Sequence, residues 1–93
     1  MTKEKIQEAI EIYRAKFKEL GVGKADYPHE DPLDCSEHGL EHCHAMLDKM
    51  EKFLTEDRIE KVFRWLGFLQ GVLWSHKIYT LDDLKGHNTN DSE

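Results

Sequence analysis

Residues 58–75 read RIEKVFRWLGFLQGVLWS, and this stretch decides the fold. Ile59, Val62, Leu66, Leu69 and Leu73 recur at alternating three- and four-residue steps, the signature of one helical face. Phe63 widens that main stripe. Trp65, Phe68 and Val72 form a second stripe beside it, and Trp74 extends the opposite edge. With successive residues 100° apart, the apolar arc covers about 240°, where an ordinary surface helix shows a stripe of about 100°. Gly67, Gly71 and Ser75 lie in the remaining wedge at four-residue spacing. A glycine within a helix costs about 1 kcal/mol relative to alanine, so two of them on one face predict close packing against another backbone, a helix of the same chain in the first place, or else of a second copy or a target.

The flanking segments carry simpler helical patterns. Ile6, Ile10, Tyr13, Phe17 and Leu20 form a narrow stripe over residues 3–20, with Thr2 as N-cap and Gly21 at the C-terminal stop. Leu40, Cys43, Leu47, Met50 and Leu54 repeat over residues 35–54, flanked by Met46 and Phe53. Asp34 with Glu37 and Asp57 with Glu60 have the spacing of capping boxes for the second and third helices. Thr80 with Asp83 opens a short helix over 81–85, which Gly86 stops. Residues 21–33 hold two glycines and two prolines and read as a strap, with Tyr27 or Leu33 pinned to the bundle. The expectation is one all-α domain over 1–86, an up-down-up three-helix bundle with a short C-terminal fourth helix and a disordered tail over 87–93.

Charge bounds the function. The 93-residue chain has a formal net charge of -6, which argues against wrapping nucleic acid. Residues 22–44 carry Lys24 against six acids, whereas the charges of 61–80 are Lys61, Arg64 and Lys77. The acidic segment of one copy therefore suits the basic segment of another. Arg58, Lys61 and Arg64 form a basic flank beside Trp65 where a base or phosphate fits, with surface salt bridges to nearby acids as the simpler reading. No transmembrane or secretory apolar run is present, so Cys35 and Cys43 read as free thiols of a reducing cytoplasm. Eight residues apart on one helix, they are about 12 Å apart along its axis, too far for a disulfide.

The motif closest to site chemistry is Cys35-x2-His38-x3-His42, whose donors suit Zn²⁺ if a fourth ligand such as His29 or His76 joins them. Glu41-x2-His44 has the spacing of a di-iron half-site, but it stands alone and reads as projecting from the polar face of the second helix. Cys43 falls in the core register, and the sequence holds no phosphate loop and no Gly-x-Ser-x-Gly elbow. No catalytic residue is assigned, and no cofactor unless zinc binds.

The segment from Phe63 to Asn88, with Arg64-Trp65-Leu66-Gly67-Phe68, Gln70-Gly71, Leu73-Trp74, Tyr79-Thr80-Leu81 and Leu84, resembles the C-terminal part of small uncharacterised proteins of tailed bacteriophages and prophages. The resemblance implies a bacterial host cytoplasm and an accessory role; it carries no activity and no functional residues. Together these readings predict a non-enzymatic helical interaction protein. Its partner is a second copy or another protein, met through Trp65, Phe68, Val72 and Trp74. Metal binding by Cys35, His38 and His42 is the alternative.

Overall fold

Three of the four helices are closed at their C-termini by the same hydrogen-bond pattern. In a computed structural model, which describes residues 1–89, they are α1 (Lys3–Glu19), α2 (Ser36–Thr55), α3 (Ile59–Ser75) and α4 (Leu81–Asn88), with no strand among the described residues. At the end of α1, Gly21 takes φ +72°, the Val22 N–H donates to the Phe17 carbonyl at 2.9 Å and the Gly21 N–H to Lys18 at 3.1 Å. This Schellman closure satisfies carbonyls that the helix leaves unpaired. The same bonds recur around Asp57 (φ 62°) after α2 and around Lys77 (φ 63°) after α3.

That closure explains one departure from the sequence reading. Asp57 is used as the left-handed residue that ends α2, so it cannot also cap α3. The N-cap is Arg58, which makes no side-chain cap bond, and the Asp57–Glu60 box does not form. Asp34 likewise lies one residue too early. Leu33 rests on Gly39, its Cδ1 3.7 Å from where a Cβ would stand, and helical backbone begins only at Ser36 with an uncapped Cys35 before it. Thr2 does cap α1, accepting from the Lys5 N–H at 3.1 Å. Thr80 and Asp83 make the expected reciprocal box, both bonds at 3.0 Å.

The core takes Ile6, Ala9, Ile10, Tyr13 and Phe17 from α1. Leu20, expected in that stripe, is half exposed at 50%, because it sits at the C-cap where the chain turns away. From α2 come Cys43, Met46, Leu47, Met50 and Leu54, and from α3 Val62, Leu66, Leu69 and Leu73. α2 packs most extensively on α3, and α1 packs on α2 and on α4. His76 joins the α2 start to the α3 end, with one ring nitrogen 2.9 Å from the Val72 carbonyl and the other 3.0 Å from that of Ser36.

α4 runs through Gly86 rather than stopping there, because the two residues beyond it are tied into the interior. The Tyr13 hydroxyl meets His87 Nδ1 at 2.9 Å and accepts from Gln70 Nε2 at 2.9 Å. Gln70 and Asn88 exchange two amide bonds at 2.7 and 3.2 Å. His87 and Asn88 therefore belong to a helix and not to a disordered tail; the rest of that expected tail, 90–93, lies outside the described residues. Burial pushes the Tyr13 phenol up to about 12, so it is a neutral hydroxyl at any ordinary pH.

Two outcomes follow. Tyr13→Phe strands Gln70 and His87 together and lowers stability by about 1–3 kcal/mol, read as a fall in Tm. Burial lowers the pKa of His87, Asp83 partly opposes it, and Lys5 adds a smaller lowering. The folded chain thus resists a proton that the unfolded chain accepts. Stability is full above the ordinary histidine pKa and declines as pH falls from about 6.5, levelling once His87 titrates in the folded state. Denaturant melts at pH 7 and pH 5.5 check this, and the difference between them shrinks in His87→Gln.

Candidate functional site

Two surface regions concentrate side chains that the core does not use. The first is the outer face of α3. Phe63, Phe68 and Trp74 remain 41%, 56% and 51% exposed. At 100° per residue, Gly67 and Gly71 form a floor between them, with Phe63 and Trp74 along one edge and Phe68 along the other. A Cβ added at Gly67 or Gly71 would meet nothing within 4 Å. Ser75 is also exposed, its hydroxyl turned back to donate to the Val72 carbonyl at 3.0 Å. The close intrachain packing expected at Gly67, Gly71 and Ser75 is therefore absent; α2 occupies the other side of α3.

The four residues expected to form a contact surface divide. Phe68 and Trp74 are exposed, whereas Trp65 and Val72 are half-buried and packed against the core. Trp65 is set by the Phe53 ring, edge-on at 4.9 Å, and by the Lys61 ammonium 5.6 Å from its centroid. Val72 lies beside Gly39, its Cγ1 3.9 Å from where a Cβ would stand. Phe63, assigned to the main stripe from its spacing, faces outward instead.

The second region lies where the strap crosses α2 and α3. Tyr27 anchors it. Its hydroxyl donates to Glu41 Oε1 at 2.5 Å, and its ring stacks on His38 with centroids 4.7 Å apart. The Tyr27 N–H donates to His42 Nδ1 at 3.3 Å. Hydrogen bonding to the Glu41 carboxylate, then burial, pushes the Tyr27 phenol up to about 12. Asp26 pairs with Lys49 at 3.0 Å and Lys24 with Asp48 at 2.9 Å, so the stretch before Tyr27 is also tied to α2.

This docking uses the imidazoles that the zinc reading required. His38 stacks, His42 accepts a backbone N–H, and Cys35 stands exposed before the first turn of α2. Among the described residues, no three His, Cys, Asp or Glu side chains converge as a metal site would need. His44 is not on a polar face. It is buried, its Nδ1 lies 2.9 Å from the Val22 carbonyl, and its ring packs 5.0 Å from Phe17. Its Nε2 has no hydrogen-bond partner among the described residues. The local sequence signal for its burial is its place next to Cys43 and three residues before Leu47, both in the apolar register of α2.

The cysteines differ in kind. Cys43 is buried, and desolvation pushes its thiol up to about 12, which leaves it inert. A native-state thiol titration with a bulky disulfide reagent should consume Cys35 alone, and the second thiol should appear only on adding denaturant. Rapid consumption of both would mean that α2 opens readily around Cys43.

No helix among the described residues is long and apolar enough to cross a membrane. No family model, curated protein or solved structure matches the chain.

Proposed function

We propose that this chain is a non-enzymatic interaction protein that pairs with a second copy of itself through the outer face of α3, and that it acts as an accessory protein of a phage or prophage in the bacterial cytoplasm. The observation that carries the pairing is the open floor of Gly67 and Gly71 between exposed Phe63, Trp74 and Phe68. Apolar area removed from water contributes about 25 cal/mol per Å², and three aromatic rings left wet on one face mark an interaction surface. A helix crossing that floor approaches closely at Gly67 and Gly71, where no side chain stands, with Glu60, Arg64 and Ser75 flanking the contact. The face suits its own copy. In an antiparallel crossing centred between the glycines, Gly67 of one chain lies opposite Gly71 of the other, so both floors meet. Its fixed charges on the exposed arc are Glu60 and Arg64, one of each sign, which spares two chains of net charge -6 from repulsion at the contact. In this reading α1, α2 and α3 run up-down-up. The short corner after α2 and the packing of α1 on α2 support that order.

The test is mass in solution. Sedimentation equilibrium across micromolar concentrations should give a dimer of the 10.9 kDa chain. Gly71→Leu should return it to a monomer and also raise the monomer's Tm, since a helical glycine without neighbours gains about 0.5–1 kcal/mol on acquiring a side chain. Trp74→Ser should weaken association without changing the fold. A chain that stays monomeric at several hundred micromolar, whatever stands at position 71, would remove the proposal.

A further inference from the structure

We propose that the cleft enclosed by the strap, α2 and α3 binds a small anion with a flat apolar body, such as an aromatic carboxylate or phosphate monoester. The inference goes beyond pairing of copies and does not require it. The cleft measures about 410 Å³ and has Met46, Trp65 and Phe68 as its apolar wall. It adjoins a smaller hollow of about 160 Å³ under the strap, with which it shares His29, His42 and Phe68. Together they reach the size range of small-molecule sites, in which a largely apolar wall carries a few convergent polar groups.

The polar groups select an anion. Asp26 is the acid lining the larger cleft, and Lys49 neutralises it at 3.0 Å. Arg64 lines the same cleft and makes no ion pair with another described residue, so one cation is in surplus. Asp31 lines the smaller hollow and disfavours an anionic head there, which places the head at the Arg64 end. His42 adds a donor. Because its Nδ1 accepts the Tyr27 N–H, the ring proton of the neutral imidazole sits on Nε2. A guanidinium and an imidazole N–H near one apolar wall recognise a carboxylate or phosphate by charge-assisted bonds, while the indole and phenyl rings take a flat body.

The walls are held before any ligand arrives. Phe53 and Lys61 fix Trp65, and the strap fixes His42 through a backbone bond. A site whose side chains are already ordered loses less entropy on binding.

The experiment titrates the ¹⁵N-labelled full chain with phenylacetate, phenyl phosphate and the neutral benzyl alcohol, followed by two-dimensional amide NMR. Saturable shifts are expected at the Trp65 indole N–H and at the amides of Asp26, His29, His42 and Met46, with both anions binding at least about tenfold more tightly than the alcohol. The tighter anion names the head group. Arg64→Gln, at an exposed position, should weaken both anions by about tenfold and leave the alcohol within about twofold. Repeating the series on Gly71→Leu separates loss of binding from any effect of pairing. No saturation by millimolar anion, equal affinities for anion and alcohol, shifts scattered away from the cleft, or indifference to Arg64→Gln would each overturn the assignment.

Discussion

Among the described residues Tyr13 is the only fully buried one with a hydroxyl, and what it bonds to governs how the fourth helix lies. Its oxygen accepts from Gln70 and meets His87, while Asn88 closes on Gln70 from the far side. Three helices are joined at one point: α1 through Tyr13, α3 through Gln70 and α4 through His87 and Asn88. A polar group inside an apolar core is stable only when its partners are in place, so each member enforces the position of the others. The rings reinforce this, since His87 packs edge-on against both Tyr13 at 5.3 Å and Tyr79 at 4.9 Å. The short helix is thereby drawn onto α1. It is not free to fold across the outer side of α3, which is why that side remains uncovered.

The helices themselves were legible because their apolar spacing is regular. Ile6, Ile10, Tyr13 and Phe17 in α1, Cys43, Leu47, Met50 and Leu54 in α2, and Val62, Leu66, Leu69 and Leu73 in α3 were all read from periodicity, and all are buried. The polar interior was not legible. Gln70 reads in sequence as a break in an apolar run, and His87 and Asn88 read as part of a polar tail, since pairing across 18 residues or more leaves no local signal. Capping failed for a related reason. Asp34 and Asp57 have the right spacing, but which residue is first to take helical dihedrals depends on the turn before it. At Asp57 that turn demanded a left-handed residue, a role for which aspartate is among the better non-glycine choices.

The candidate surface was legible in kind and not in detail. Excess apolar character on α3 is a one-dimensional property; of the four residues it singled out, Phe68 and Trp74 are exposed, while Trp65 and Val72 are packed against the core. Which ones stay outside depends on where α2 and the strap lie. Trp65 turns toward Phe53 and Val72 toward Gly39, so both are half covered. Phe63 shares its spacing with buried residues but lies one step past the contact with α2. The glycines were read as evidence of a close neighbour; the neighbour is not another helix of the chain, which leaves their open floor without an intrachain use.

Five of the six histidines complete the separation between what holds the chain together and what is left over. His38 stacks on Tyr27, His42 takes its backbone N–H, His44 faces the Val22 carbonyl, His76 lies between carbonyls of α2 and α3, and His87 meets Tyr13. Each imidazole joins segments far apart in sequence or closes a helix end, a structural use for a ring that offers a polar atom at either side and an apolar face between. A cluster that resembles a ligand set in one dimension is thus dispersed by the docking of the strap. Phe63, Arg64, Gly67, Phe68, Gly71 and Trp74 show no comparable use. All six lie on one helix, α3, whose other side is taken up by α2, so the side chains free of structural duty gather along the glycine floor and at the Arg64 edge beside the strap.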